Sequence, residues 1–334
     1  MNLPAAVRTV RWMIRDTFRQ SVSTKLFWVT LGITILCAAF CASVRVIGDA
    51  PPTQYDWEVP SLLPKDEAEK IGIEKVKADG VRIATGEISF GFGAIKVPSA
   101  RPREDTVRFL QVWLAGWIAD TAGVLLALLW TAGFLPTFLE PQSATVLLAK
   151  PAPRWSILLG KYLGVVGFVT IQSAIFVGAT WLAIGAATGV WTSAYWLAVP
   201  LLVGNFAVFY SVSAFLAVWT RSTVASAFGT LIFWLLCWTM NFTHLRIAAM
   251  PIEGLSASSS FLLDLGYWIM PKPLDLSGIF FDAMQADSIS TKPAEMVAAQ
   301  ASGNYHPEWA VVSCGAFAAG TLALASYEFS TLDY

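Results

Sequence analysis

The stretch LLAKPAPRWSILLGKYLG, Leu147 to Gly164, interrupts a chain that is oily on both sides of it. Its two prolines, two lysines and one arginine stand between apolar runs that are each long enough to cross a bilayer. Composition identifies the surrounding solvent. Of 334 residues, 56% are hydrophobic and only 13% are charged, where a soluble domain carries roughly 25% charged residues. Basic and acidic residues nearly cancel, 22 against 23, so bulk charge points to no nucleic-acid partner and only its distribution along the chain informs.

A hydrocarbon core about 30 Å thick needs about 20 predominantly apolar residues as helix, because backbone amides in lipid must pair within their own segment. Six stretches meet that condition: 26–44, 110–135, 157–183, 196–219, 224–242 and 309–325. The expected fold is therefore an all-α polytopic membrane protein with six transmembrane helices. Residues 1–25 add an N-terminal interfacial helix and 45–109 a small α/β outer subdomain. A cytoplasmic loop follows at 136–156, a second outer segment at 243–308 and a tail at 326–334.

Lysine and arginine set the direction, since they are retained on the cytoplasmic side in short flanks. Arg8, Arg11, Arg15, Arg19 and Lys25 stand against Asp16 alone near the N-terminus. With that end inside, Lys150, Arg154 and Arg221 are inside too. The outside segment then carries Glu253, Asp264, Asp275, Asp282, Asp287, Glu295 and Glu308, which outnumber Arg246, Lys272 and Lys292. Trp155, Trp191, Trp196, Trp219 and Trp309 lie near span ends, as an interfacial aromatic belt requires. The first span is long and lacks a small-residue cleavage site before Arg45, so it reads as an uncleaved anchor. These features describe a multi-pass protein of the cell membrane, placed in the bacterial cytoplasmic membrane with both termini cytoplasmic. No internal repeat of the kind common in secondary transporters is evident.

At about 100° per residue, Val7, Val10, Ile14 and Phe18 form one stripe and Arg8, Arg11, Arg15 and Arg19 a neighbouring one. Such a helix lies in the inner interface, its apolar stripe in the acyl boundary and its arginines on lipid phosphates. A plain topology signal is the alternative. In the first outer segment, PKDEAEKIGIEKVKADG reads as a short exposed helix. Val81, Ile83, Ile88 and Phe90, with Gly86, Gly91 and Gly93 as turn points, read as a small hairpin. The subdomain serves as a gate, a partner contact or a structural cap.

In the loop after the second span, FLPTFLEPQSATVLLAKPAPRWSILLGKYLG, Pro136 and Pro141 oppose helix continuation. Ser143 caps a short helix through Thr145 to Ala149, which Pro151 and Pro153 end. Glu140 and Lys150 stand at the ends of this knob, Arg154 lies beyond it, and Lys161 snorkels to the same interface. An ordinary topology-setting connector is the plain alternative.

These residues resemble the membrane subunits of type-2 ABC transporters, the class that includes exporter permeases and those associated with multicopper-enzyme maturation. The likeness lies in Glu140, Ala144-Thr145, Leu147-Leu148, Lys150-Pro151, Pro153-Arg154 and Leu158-Leu159-Gly160-Lys161-Tyr162-Leu163-Gly164. Family members read Glu, three residues, Gly-Thr, then an LL…KP…R…LLGK run. Here Ala144 replaces the glycine and Pro141 follows the glutamate directly. The resemblance implies that the knob is a coupling helix seated in a groove of a cytoplasmic ABC ATPase subunit, with Glu140, Ser143, Thr145, Lys150 and Arg154 as the contact. It also implies a second permease half, as homodimer or heterodimer. ATP and magnesium belong to the partner, and no cofactor is expected in this chain. The residues agree in one respect: GxxxxGK[ST], which cradles phosphates and holds magnesium, is absent, and Gly160-Lys161 enters a span instead.

Asp120, in GWIADTAGVLLALLWTAG, is the acid well within a span. Intramembrane acids are costly and face a cavity or a partner. Asp120 therefore lines a translocation path or hydrogen-bonds Gln172 or Asn205 of other spans to hold the bundle. Gly160…Gly164 and Gly185…Gly189 permit close helix contact, and LLDLGYWIMPKPLDLSGIFFDAM is apolar enough to dip partly into the bilayer.

Cys37, Cys41, Cys237 and Cys314 lie in apolar runs without CxxC spacing and read as buried hydrophobes. With only His244 and His306 available, a histidine-based metal site is poorly supported. HExxH and GxSxG are absent, which disfavours an intramembrane enzyme. An ATP-independent secondary transporter or channel is the alternative function. It requires ionisable groups near the midplane, a description only Asp120 meets.

Overall fold

A computed structural model of the chain describes residues 3–23, 25–47, 53–54, 58–59, 76–77, 82–83, 86–99, 102–138, 153–249, 256–286, 292–303 and 305–331. Five of its helices are long and apolar enough to cross a membrane. These are α3 (Arg103–Pro136), α4 (Arg154–Thr188), α5 (Ser193–Thr220), α6 (Thr223–Ala249) and α10 (Pro307–Thr331). Ahead of them, α1 (Leu3–Ser23) and α2 (Lys25–Ala42) form a pair bent by 66° that supplies a sixth span when taken together. The protein is a polytopic all-α membrane protein, with one three-stranded antiparallel sheet at one end.

Two features place the ends of α3 and α4 outside the apolar windows read from sequence. The α3 helix begins with Arg-Glu-Asp-Thr, whose Glu104 and Asp105 favour the positive end of the helix dipole and extend the helix beyond the hydrocarbon. Gly189 closes α4 in the left-handed conformation, φ 75°, its N–H donating to the Gly185 carbonyl at 2.8 Å. Across Val112–Gly123 the α3 helix widens to a π-helix, with the Val124 N–H donating to the Ala119 carbonyl.

The α5 helix is the axis of the bundle. In its most apolar window 72% of the residues are buried, against 17–39% for the other four spans. Phe206, Phe209, Tyr210, Ala214 and Ala217 have no exposed surface. Tyr162 of α4 and Phe206 both stack on Tyr210, with ring centroids 5.5 and 5.2 Å away, and the Tyr162 hydroxyl donates to the Ala207 carbonyl at 2.7 Å. A helix that is apolar on all sides is buried on all sides, which is the condition α5 meets.

Contacts between distant residues sort the bundle into two ends. At one end Arg154 at the start of α4 donates to the Ser330 carbonyl at the end of α10. Gly133 of α3 sits against Thr223 of α6 there, and α1 lies along the first half of α4. At the other end Arg103 at the start of α3 donates to the Thr188 carbonyl at the end of α4.

The α1 helix packs against the bundle by a face that the sequence does not single out. Its packed face is Ala6, Val10, Met13, Thr17 and Ser21, spaced three and four apart, while Val7 is 64% exposed. This face meets the glycine stripe of α4. A Cβ built at Gly160 would lie 2.7 Å from Met13 Cβ, and one at Gly164 would lie 2.7 Å from Thr17 Cβ. Backbone contact, available only because α4 offers no side chains there, draws the helix inward by a face that looks unremarkable in sequence. Arg8, Arg11, Arg15 and Arg19 all remain exposed on the opposite side. Lys161 does not snorkel outward: it is 2% exposed and its Nζ donates to Gln20 Oε1 of α1 at 2.5 Å.

The first outer segment also differs. Strands β1 (Arg45–Ile47), β2 (Thr53–Gln54) and β3 (Glu58–Val59) run out, and β4 (Val76–Lys77), β5 (Arg82–Ile83) and β6 (Gly86–Phe90) return. Pairing is nested, Arg45 opposite Ser89, Thr53 opposite Ile83, Glu58 opposite Lys77. Among the described residues these pairs belong to one three-stranded and two two-stranded antiparallel sheets. The expected hairpin is present with its turn at Gly91–Ala94, two of the expected turn glycines included, and β7 (Ile95–Ser99) returns along β6. Gly91, Phe92 and Gly93 all have positive φ there, at 62°, 57° and 99°, a backbone that glycine adopts without strain, whereas Gly86 is paired within the strand. The helix expected over 64–80 lies mostly outside the described residues; within it, Val76–Lys77 is strand. Phe40 stacks on Phe90 at 5.8 Å and Ser43 Oγ accepts from the Gly91 N–H at 3.0 Å, tying the sheet to the end of α2.

Adding one methyl group tests the α1–α4 seam. Gly164→Ala should destabilise the purified protein by about 1–3 kcal/mol through overpacking. Gly32→Ala, where the new Cβ meets nothing within 4 Å, should leave the midpoint of thermal unfolding unchanged or slightly higher.

Candidate functional site

Between α6 and α10 the chain makes α7 (Ala257–Ile269), α8 (Pro273–Ala283) and α9 (Ala294–Ala301). The α8 helix is the part of the outer segment that enters the bundle, contacting α3, α5, α6 and α10. Pro273 occupies its first turn, where a missing N–H costs nothing. Leu274, Asp275, Ser277, Phe280 and Phe281 are all buried. Phe281 closes over Gly116 of the π-helical part of α3, where a Cβ would lie 2.6 Å from its ring, and stacks on Trp117 at 5.7 Å.

Burying α8 brings two carboxylates into polar cages. Asp120 of α3 is 8% exposed; Asn205 Nδ2 of α5 donates to its Oδ1 at 2.7 Å and Ser277 Oγ of α8 to its Oδ2 at 2.5 Å. Asp275 of α8 is fully buried; Asn241 Nδ2 of α6 donates to its Oδ1 at 2.9 Å and the Tyr267 hydroxyl of α7 to its Oδ2 at 2.5 Å. Asn241 faces both ways, since its Oδ1 accepts from the Leu274 and Asp275 N–H groups at 2.9 and 3.3 Å and so caps α8. Lys272 is 1% exposed, its Nζ bonded to Ser313 Oγ of α10 at 2.7 Å and 4.6 Å from the Tyr267 ring centre. The cages bridge helices from distant parts of the chain, and their donors Asn205, Ser277, Asn241 and Tyr267 are all neutral, with Lys272 a neighbour bonded to Ser313. Among the described residues no group of His, Cys, Asp and Glu is arranged to hold a metal.

The residues singled out from sequence fall into three sets. Asp120 and Asn205 are brought together. Gln172 is not with them: its amide is buried without a hydrogen-bond partner, beside a cavity between α2, α3, α4 and α5. In the elbow, Glu140, Ser143, Thr145 and Lys150 lie outside the described residues, and Arg154 is placed at the foot of α4 on the Ser330 carbonyl. Sequence reasoning does not single out Ser277, Asp275, Tyr267 and Lys272, which fall in the 243–308 segment read as outside the bilayer or dipping partly into it, nor Asn241, one asparagine near the end of an apolar span. The signal lies in KPLDLSG, where a proline at a helix start precedes alternating apolar and polar residues in the middle of an apolar run.

Removing the carboxylate leaves buried donors unpaired. Asp120→Ala should cost about 2–4 kcal/mol, and Asp120→Asn less, because an amide retains one acceptor. Thermal unfolding of the variants in detergent, with an Asp120/Asn205 double-mutant cycle, measures the coupling; additive effects would mean that the pair does not hold α3 to α5.

Residues 11–262 match a family model described as ABC-2 family transporter protein. No curated protein and no solved structure matches the chain. The match runs from the arginine face of α1, through the spans α3 to α6 and the elbow, into α7, and takes in well over half of the sequence. With the apolar helices described above, it establishes that this chain belongs to the ABC-2 transporter family, as a multi-pass membrane component of the permease type.

Proposed function

We propose that the chain is one permease half of an ATP-driven transporter, with the elbow 136–156 seated in a separate ATPase subunit that supplies the energy. Glu140, Ser143, Thr145, Lys150 and Arg154 form the contact. The observation that carries this reading is the connection behind the elbow. Arg154, where it re-enters the bundle, is bonded to the end of α10, and Lys161, within the next two turns of α4, is bonded to Gln20 of α1. A push on the elbow therefore reaches three helices through direct contacts. The absence of GxxxxGK[ST] from the sequence supports an external source of energy.

In this reading α1 lies on the cytoplasmic leaflet of a bacterial membrane, its packed seam on α4 and its exposed Arg8, Arg11, Arg15 and Arg19 on anionic lipid headgroups. Both termini are cytoplasmic, and a second permease half, identical or related, completes the transporter. The ion-driven alternative draws less support, because both oxygens of Asp120 are taken by protein donors. An acid that binds a transported ion needs an oxygen available to it.

Co-purification with an ATPase subunit, followed by ATPase and transport assays on the reconstituted complex, tests the reading. Replacing Glu140 and Lys150 together by alanine should lower transport-coupled ATPase activity roughly tenfold while leaving the thermal stability of the permease unchanged. A cysteine placed at Ser143 should react with a membrane-impermeant thiol reagent in inverted vesicles and not in intact cells; labelling from outside intact cells overturns the proposal.

A further inference from the structure

The cavity beside Gln172 has a volume of about 270 Å³. This is nearly twice the roughly 150 Å³ void that takes up benzene in an engineered core, and it has room for a chain of roughly ten heavy atoms. Its wall includes Thr34 of α2, Ile118 and Ala122 of α3, Phe176 of α4 and Phe206 of α5. The α2 helix packs along α4 rather than along α3, and Ile33, Ile118 and Ala122 on the flanks of the gap are exposed, so the cavity opens sideways toward the hydrocarbon. Part of the wall from α3, Leu114 to Gly123, is its π-helical stretch, a widening that recurs at functional sites.

Against this apolar wall one group is out of place. Gln172 lines the cavity, and neither its Oε1 nor its Nε2 has a hydrogen-bond partner although both are buried. It sits near the middle of α4, roughly 25 Å from either end at about 1.5 Å per residue, too deep for a phospholipid headgroup. An amide in hydrocarbon without a partner is costly. The other polar side chains of the cavity for which bonds are seen are turned back onto their own helices. Thr34 Oγ1 donates to the Thr30 carbonyl at 2.9 Å, and Thr131 Oγ1 to the Ala127 carbonyl at 2.7 Å. An apolar slot of this size, with an unused donor and acceptor buried in its wall at mid-membrane and within a side-chain rotation of it, is complementary to an apolar chain that carries one hydrogen-bonding group.

We infer that this cavity binds a single-chain apolar molecule bearing a hydroxyl or amide, which enters from the bilayer between α2 and α3 and hydrogen-bonds Gln172. Binding of this kind belongs to one permease chain and stands whether or not an ATPase drives it.

The test uses the full chain in phosphatidylcholine nanodiscs and two photoreactive twelve-carbon probes carrying a diazirine in the chain, one ending in a hydroxyl and one in a methyl group. The hydroxyl probe should label α2, the Ile118–Trp130 part of α3 and the Phe168–Phe176 part of α4, saturably and displaced by excess 1-dodecanol. The methyl probe should label the lipid-facing helices without preference. Gln172→Leu should weaken the saturable labelling roughly tenfold and raise the unfolding temperature, because it removes an unpaired amide. Ala122→Phe, at an exposed position on the rim, should abolish the labelling with the fold intact. Equal labelling by both probes, undiminished labelling of Gln172→Leu, or a lower unfolding temperature for that variant, which would make the amide a structural group, each overturns the inference.

Discussion

The structure depends on keeping two carboxylates out of contact with lipid. In hydrocarbon a polar group has no water to fall back on, so its partners must come from the protein. Asp120 and Asp275 find theirs on other helices, Asn205 and Ser277 for the first, Asn241 and Tyr267 for the second. The helix common to both cages is α8, which carries Ser277 and Asp275 only two residues apart. That spacing turns one side chain toward α3 and the other toward α6. A short helix from the outer segment thus fixes how far apart two spans can lie.

Much of this architecture is legible in the sequence, and the boundary of what is legible has a physical cause. Hydrophobic length is a property of a segment alone, so the spans 157–183, 196–219 and 309–325 fall within helices of the structure. Charge asymmetry is also local and marks the end of the bundle that carries α1, Arg154 and Arg221. The cages are different in kind. That Asp120 needs a partner follows from its place in an apolar run, and Asn205 was among the candidates, but Ser277 is one serine in a segment whose depth no local pattern fixes. The partner of the glycine stripe Gly160…Gly164 is equally hidden, because the side chains of α1 that meet it are Met13 and Thr17, which lie beside the apolar stripe, while Val10 of that stripe meets it through its backbone. Fit between backbones selects that face, and hydropathy does not record it. The outer strands show the same limit: alternation identified strand in 81–90, while the pairing of Thr53 with Ile83 joins residues that no turn signal connects.

The seams that hold the bundle are unevenly distributed. Glycine contact and the Lys161–Gln20 bond lock α1 to α4, aromatic stacking locks α4 to α5, and the carboxylate cages lock α3, α5, α6 and α8. The α2 helix has less: it rests along α4 and joins the outer sheet through Phe40 and Ser43. Its face toward α3 borders a cavity instead of a packed interface. Packed interfaces switch between discrete arrangements, and a gap yields more readily. Among the described residues the α2–α3 cleft, where Gln172 lies, is therefore a place where this chain can open sideways with few bonds broken.

On the proposed function, this arrangement also gives the elbow a mechanical meaning. A displacement at Arg154 is transmitted along α4, which is continuous from Arg154 to Thr188 and whose lower half carries α1 with it through backbone contact. The upper half of α4 is held at the other end by Arg103 on the Thr188 carbonyl. With both ends attached, a push at the foot tilts α4 about its middle more easily than it shifts the helix along its axis. Gln172 and Phe176 are at that middle, facing the helix pair that is least tightly joined. Motion imposed at the Arg154 end would therefore be felt first as a change in the width of the α2–α3 cleft. The carboxylate cages, which tie α3, α5, α6 and α8 together, would keep the rest of the bundle in register while that change occurs.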